Sequence, residues 1–233
     1  MIGNQTLPCS VTTAKCLSEV PLPERCAVVF DLDDTLYQER DYVESGFRAV
    51  AEYIHAHTGC EIYEQMLTLL KQGELDVFGM IITKTQCPLD KAALIQTYRD
   101  HQPALTLSAE VAQLLGKLLE SGCQLGIITD GRSLTQRNKI RALGLEKWIN
   151  EIVISEELGA EKPSPVGFLQ MQNRFASCQM VYVGDNPTKD FVTPNRLGWI
   201  TVCLRATAKN IHPQELDDVM SDFRPDYLID RLS

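Results

Sequence analysis

Long apolar runs are missing from this 233-residue sequence, in which no segment approaches the roughly 18 consecutive apolar residues of a membrane-spanning helix. The first 25 residues also lack the continuous apolar core of a secretory signal peptide. Eight cysteines are present, but they are scattered and include no C-x-x-C pair, which argues against a disulfide framework. We therefore expect a cytoplasmic protein without a membrane partner, whose thiols are reduced and, at Cys26, Cys123 and Cys203, lie beside or within apolar runs.

Positively charged residues are also few: the sequence has 22 lysines and arginines and 31 aspartates and glutamates, which gives a net charge of −9. An acidic balance of this size argues against nucleic acid or an anionic membrane surface as a partner. The sequence also lacks a P-loop, a dinucleotide-binding glycine motif, a serine nucleophile elbow and an H-E-x-x-H zinc motif. Its 44% hydrophobic content is nevertheless ample for a sizeable core.

The most informative stretch is an apolar run, Cys26–Phe30, followed directly by Asp31, Asp33 and Asp34. The run is typical of a buried parallel strand. Two unit charges a few ångströms apart repel by roughly 4 kcal/mol even at an effective dielectric constant of about 20. Ligands of open α/β sheets bind at the carboxyl ends of the strands, where these carboxylates lie. The cluster therefore indicates a metal-assisted active site.

The pattern of the chain changes twice after this strand. Residues 38–106 show apolar side chains at helical spacing and no convincing alternating strand, whereas strands and helices alternate from about Ser108 onward. Alternation of this kind predicts an α/β fold with a doubly wound parallel sheet. We predict an amino-terminal arm over residues 1–24, a Rossmann-like catalytic core over 25–37 and 107–233, and an inserted all-α cap over 38–106.

Polar groups follow four of the predicted strands, and in a parallel sheet these strand ends share one edge. They are Asp31 and Asp33 after the first strand, the run Thr129-Asp130-Gly131-Arg132 after the second, Lys162 after the third, and Asp185 to Asp190 after the fourth. Asp31, Asp33 and Thr35 match a D-x-D-x-T motif, and Gly184, Asp185 and Asp190 match G-D-x-x-x-x-D. In this order and spacing, over about residues 26–205, the chain resembles the haloacid dehalogenase superfamily, and specifically its phosphatases with an inserted helical cap.

This resemblance implies a role for each site residue. Asp31 is expected to be the nucleophile that forms an aspartyl-phosphate, and Asp33 the general acid and base. The implied cofactor is Mg²⁺, held by the Asp31 carboxylate, the Asp33 backbone carbonyl and the Asp185 carboxylate. Thr129, Asp130, Gly131 and Lys162 are expected to bind the phosphoryl group, with Asn186 and Asp190 in support. The run Asp130-Gly131-Arg132 departs from the commoner, asparagine-containing version of this element, and Arg132 either binds substrate or forms a surface salt bridge.

The resemblance implies a Mg²⁺-dependent phosphatase acting on a small phosphorylated metabolite, a sugar phosphate or a nucleoside monophosphate, as a monomer or homodimer. Asp33 favours phosphoryl transfer over carbon–halogen cleavage, because a departing halide needs no proton. A phosphomutase of the same fold and a non-catalytic regulatory protein remain alternatives. Substrate discrimination is expected to come from the cap, near His55, His57 and Tyr63 or the segment 77–82.

Overall fold

The structure is a computed structural model that describes residues 11–211, 214–215 and 220–233. It divides into two compact units. The sheet unit comprises Met1–Gln38, Leu107–Ser133 and Gly144–Ser233, and the helical unit comprises Glu39–Thr106 and Leu134–Leu143. No helix among the described residues is both long enough and apolar enough to cross a membrane.

The sheet unit is built on seven parallel strands in the order β1-β7-β6-β5-β2-β3-β4. The strands are β1 (Thr12–Cys16), β2 (Cys26–Phe30), β3 (Gln124–Thr129), β4 (Glu151–Ile154), β5 (Gln179–Gly184), β6 (Ile200–Leu204) and β7 (Tyr227–Arg231). The predicted α/β fold with a parallel sheet is confirmed.

Strand β2 lies in the interior of this sheet because all five of its residues are apolar and all five are buried. Phe30 pairs with Ile127 of β3 on one side and with Val183 of β5 on the other. The next residue, Asp31, still donates its backbone N–H to the carbonyl of Val183 at 2.8 Å. The register therefore brings the residues that follow β2, β3 and β5 to the same edge.

Nine α-helices are described. Helices α1 (Glu39–Thr58), α2 (Tyr63–Lys71), α3 (Val77–Thr85) and α4 (Lys91–Asp100) belong to the helical unit, and α5 (Ala109–Glu120), α7 (Ser155–Leu158), α8 (Pro165–Arg174) and α9 (Val192–Arg196) belong to the sheet unit. Nearly all of α6 (Ser133–Ala142) groups with the helical unit. Within that unit, the Lys139 ammonium lies 4.2 Å from the centroid of the Tyr42 ring, and the Thr135 hydroxyl donates to the carbonyl of Arg99 at 3.2 Å.

The beginning of the chain differs from the expected arm over residues 1–24. Residues 12–16 form β1, which pairs along the sheet edge with β7, and Leu17 is fully buried behind it. Strand β1 was hard to predict because Thr12, Thr13 and Lys15 are polar and its side chains are mostly exposed, so no apolar run marks it. The part of the predicted arm that covers residues 1–10 lies outside the described residues.

Candidate active site

The site lies in the sheet unit, where the loops after β2, β3, β4 and β5 leave the sheet. Asp31 follows β2, Thr129 ends β3 and is 1% exposed, and Asp185 follows β5. Lys162 lies in the loop before α8 and is buried. The sequence places these residues up to 154 positions apart along the chain, yet the parallel sheet brings them to one edge.

Lys162 is at the centre of the polar network. Its ammonium nitrogen Nζ lies 2.8 Å from Asp31 Oδ1 and 2.7 Å from Asp190 Oδ1. A third contact joins Nζ to the hydroxyl of Tyr182 at 3.1 Å. An ammonium group has three donors, so these three contacts use all of them.

Asp190 is 0% exposed and is held from several sides. Its Oδ1 accepts from Lys162 and from the Tyr182 hydroxyl, the latter at 3.2 Å, and its Oδ2 accepts from the backbone N–H of Asn186 at 2.9 Å. Residue 184 must be glycine, because a Cβ there would overlap the Asp190 carboxylate. The second acidic residue of the G-D-x-x-x-x-D motif is therefore fully engaged within the protein and contacts Lys162 directly.

Asp33 has a different environment from Asp31. It is only half-buried, and Oδ1 of its carboxylate accepts a short hydrogen bond from the hydroxyl of Tyr37. The next residue in the turn, Asp34, adopts a positive φ of 53°, and its Oδ2 accepts from the backbone N–H of Ile211 at 3.3 Å. The two aspartates of the D-x-D motif thus differ in burial, since Asp31 is buried beside a lysine and Asp33 is partly open to solvent.

The turn after β3 is fixed by its neighbours in the sheet unit. Oδ1 of Asp130 accepts from the backbone N–H of Lys162 at 3.0 Å, and its Oδ2 lies 3.7 Å from the Lys189 ammonium. The Gly131 N–H donates to Ser155 Oγ at 2.9 Å, so this amide is occupied within the protein. Arg132 is near Glu156 at 4.0 Å, in a long ion pair whose side chains are largely exposed.

Burial and mutual repulsion perturb the charges of this site. Burial, followed by the neighbouring charges of Asp31 and Asp190, raises the pKa of Asp185 to about 8. Burial raises the pKa of Asp31 to about 7 although Lys162 opposes the shift. Burial alone would lower the pKa of Lys162, but the adjacent Asp190 and Asp31 carboxylates raise it well above its ordinary value. Ionising Asp31 and Asp185 together is therefore unfavourable in this pocket.

Carboxylate oxygens of Asp31, Asp185 and Asp190 all lie within 4.8 Å of one another, a grouping that could hold a metal ion. Asp190 already accepts hydrogen bonds at both oxygens, whereas Lys162 occupies only one oxygen of Asp31. Asp31 and Asp185 are consequently the members of the cluster with the greater capacity for a cation.

Three contributors to the site were not expected from the sequence. Tyr182 was assigned only to the apolar strand 180–183, and nothing in that pattern indicates that its hydroxyl contacts Lys162. Ser155 follows β4 directly, so the rule that strand ends carry functional groups could have identified it. Gln214 has no sequence signal; its amide nitrogen donates to the backbone carbonyls of Asp185 at 2.5 Å and Leu204 at 2.8 Å.

The candidates for substrate discrimination lie in the helical unit. His55 and His57 are exposed in the last turn of α1, where His55 contacts Glu61 at 3.2 Å and His57 contacts the carbonyl of Tyr53 at 2.8 Å. The Tyr63 ring lies 4.6 Å from the guanidinium carbon of Arg48. The segment 77–82 belongs to α3, where Val77 and Ile81 are buried in the core of the helical unit.

Comparison with known proteins agrees with the geometry. The sequence profile of the family described as "Haloacid dehalogenase-like hydrolase" matches residues 28–203. A glyceraldehyde 3-phosphate phosphatase from Methanopyrus kandleri is 34% identical over 221 residues, which cover 88% of this chain and 93% of that protein. A ribulose-1,5-bisphosphate 5-phosphatase from Halopiger xanaduensis is 27% identical, covering 88% of this chain and 95% of that protein.

A solved structure, that of the HAD-hydrolase YfnB from Bacillus subtilis, superimposes with a TM-score of 0.63 at 21% identity, covering 89% of this chain and 95% of that one. That structure contains magnesium, and at this identity its likeness supports the fold alone. The profile match and the 34% identical relative decide the family. The chain belongs to the haloacid dehalogenase-like hydrolases, and within them it is a phosphoric monoester hydrolase.

Proposed function

We propose that the protein is a Mg²⁺-dependent phosphatase that hydrolyses a small sugar phosphate through an aspartyl-phosphate on Asp31. The observation that supports this most strongly is the contrast between the two aspartates of the D-x-D motif. Asp31 is buried 2.8 Å from Lys162, as a fixed nucleophile requires, and Asp33 is half-buried beside Tyr37, as a group that exchanges protons with water requires.

Phosphate monoesters hydrolyse extremely slowly without a catalyst, and a covalent intermediate divides the reaction into two easier steps. In the first step, Asp31 attacks phosphorus while Asp33 donates a proton to the departing alcohol oxygen. In the second step, Asp33 removes a proton from the attacking water, and the phosphoryl group leaves Asp31 as inorganic phosphate. The two steps together return both aspartates to their starting protonation states at the end of the cycle.

The residues present fit a Mg²⁺ ion. Hard divalent cations prefer oxygen ligands, and burial together with mutual repulsion raises the pKa values of Asp31 and Asp185, a cost of ionisation that a cation would relieve. We propose that the Asp31 carboxylate, the Asp33 backbone carbonyl and the Asp185 carboxylate hold it. When bound, the ion supplies charge neutralisation between the anionic nucleophile and the anionic phosphoryl group.

Thr129, Asp130 and Lys162 have supporting roles in this proposal. Thr129 offers a hydroxyl to a phosphoryl oxygen at the end of β3, and Lys162 balances the charge of Asp31. Asp130 fixes the loop of Lys162 through its backbone N–H. Gly131, whose N–H is bonded to Ser155, shapes this turn rather than donating to the phosphoryl group.

The substrate class follows from the relatives. Two of them are named for phosphatase activity on a triose phosphate and on a pentulose bisphosphate, so a sugar phosphate is favoured over a nucleoside monophosphate. We propose that Glu39–Thr106, which joins the sheet unit through two crossings, acts as the cap and supplies discrimination among sugar phosphates.

The proposal is tested by measuring phosphate release from triose, pentose and hexose phosphates and nucleoside monophosphates, with Mg²⁺ and with chelator. We expect Mg²⁺-dependent turnover of sugar phosphates, and a loss of several orders of magnitude in Asp31→Asn, because an amide is a poor nucleophile. Asp230→Asn is the control, since Asp230 is exposed and paired with Arg205 at 3.0 Å. Full activity in excess chelator, or half of the wild-type turnover in Asp31→Asn, would overturn the proposal.

A further inference from the structure

Lys162 needs more than its two carboxylate partners to keep a fixed direction. During the proposed reaction Asp31 changes from a carboxylate to an acyl phosphate, so the ammonium contact to this residue must change in every cycle. Asp190 takes no part in bond making, and both of its oxygens are already engaged. An ammonium on a flexible four-carbon stem can rotate unless a further group holds it.

Tyr182 supplies such a group. Its side chain is fully buried on β5, and its ring packs against Phe168 at 5.2 Å and Trp199 at 6.5 Å between centroids. The hydroxyl lies 3.1 Å from Lys162 Nζ and 3.2 Å from Asp190 Oδ1. A protonated phenol can accept from the ammonium and donate to the carboxylate at once, so both hydrogen bonds are satisfied.

We infer that Tyr182 is a positioning residue for Lys162. Together with Asp190 it engages two of the three ammonium donors with groups that take no part in bond making, and leaves the third directed at Asp31. This inference rests on the proposed function for its catalytic consequence, and on the three contacts of Lys162 for its geometry.

Tyr182→Phe tests the inference, because it removes the hydroxyl and keeps the ring that packs against Phe168 and Trp199. We expect kcat to fall by about tenfold while KM changes much less, since a donor of Lys162 loses its partner and the ammonium departs from its direction towards Asp31. Trp199→Phe is the matched control. It alters packing against the same ring and leaves the hydroxyl in place, so it is expected to lower the thermal midpoint without lowering kcat.

A second readout is independent of turnover. With ¹⁵N-lysine labelling at low temperature, a buried ammonium with three hydrogen bonds is expected to give a ¹H–¹⁵N signal that survives exchange with water, and Lys162→Met assigns it. In Tyr182→Phe this signal should broaden or disappear, whereas Trp199→Phe should retain it. If the wild type shows no signal, or if Tyr182→Phe leaves the signal unchanged, the inference is wrong.

The two proposals can fail separately. Absence of phosphatase activity in the wild type on every phosphate monoester tested contradicts the proposed function, while the lysine signal still decides whether Tyr182 holds Lys162. An active wild type whose kcat is unchanged in Tyr182→Phe contradicts the positioning role. The positioning role is also contradicted if Tyr182→Phe and Trp199→Phe lose similar stability and similar fractions of kcat. In that case the loss of kcat follows from the loss of stability and not from the missing hydroxyl.

Discussion

Asp31 and Asp190 both contact the ammonium of Lys162, and carboxylate oxygens of these two residues and of Asp185 lie within 4.8 Å of one another. Burial and repulsion raise the pKa of Asp185 to about 8, so charging this group costs the folded protein free energy. A site of this kind is stable with its ligands and under strain without them. Under the proposed function, these residues lower the stability of the free protein and gain a cation and a phosphoryl group as ligands.

Asp185→Asn tests this at the residue scale. The amide carries no charge, so the folded protein no longer has to protonate a buried carboxylate or bear its repulsion, and we expect the thermal midpoint in chelator to rise by about 2–4 °C, or roughly 1 kcal/mol. Mg²⁺ should raise the midpoint of the wild type, because it binds only the folded state, and should have little effect on the variant. Thermal scans with chelator and with Mg²⁺ measure both effects.

Asp222→Asn is the control for this comparison. Asp222 is exposed and pairs with Arg196 at 3.1 Å on the surface, so its variant should respond to Mg²⁺ as the wild type does. An Asp185→Asn protein that Mg²⁺ stabilises as strongly as the wild type would show that the cation does not use this carboxylate.

At the scale of elements, close packing in the helical unit depends on a glycine. Helix α1 approaches α4 at Gly46, where an added Cβ would overlap the ring of Tyr98. The Tyr98 ring in turn packs edge-on against Tyr42 at 5.5 Å and Phe78 at 5.6 Å. The Tyr98 ring is partly buried and held by aromatic neighbours, so it cannot move aside without disturbing them.

Gly46→Ala is therefore expected to destabilise the protein by about 1–3 kcal/mol, because overpacking outweighs the better helix propensity of alanine. The control is Gly116→Ala in α5, where an added Cβ meets nothing within 4 Å. There the propensity gain should stabilise by up to about 1 kcal/mol. Denaturant unfolding followed by circular dichroism measures both, and equal shifts in the two variants would refute the close approach of α1 and α4.

The elements that the sequence predicted share a strong local signal. Strand β6 over 200–204 and helix α6 over 133–142 were predicted at the observed bounds, from an apolar run and from a polar-faced helix that ends at a glycine. Strands β1 and β7 were not predicted, because neither contains an apolar run: the residues of β1 are mostly exposed, and only Leu228 and Ile229 are buried in β7. Whether these segments form strands depends on pairing with other strands of the sheet, which a local sequence pattern does not predict.

For the molecule as a whole, the order of the strands decides which residues come together in the site. Because β2 lies between β3 and β5, Asp31, Thr129 and Asp185 leave the sheet side by side although they are far apart in sequence. The spacing of the motifs predicted that these residues lie close together, since the ends of parallel strands share one edge of the sheet. It could not predict Tyr182 or Gln214, whose side chains reach the site through packing and hydrogen bonds that only the folded chain defines.

In the proposed mechanism Asp31 carries the phosphoryl group during turnover, and chemical trapping can detect this intermediate. The enzyme is mixed with an accepted sugar phosphate and Mg²⁺, quenched during turnover and treated with borohydride, which reduces an aspartyl-phosphate to homoserine. Peptide mass spectrometry then locates the modified residue. We expect homoserine at position 31 only in the sample that received substrate. Steady hydrolysis with Asp31 unmodified, or homoserine at position 33 instead, would contradict it.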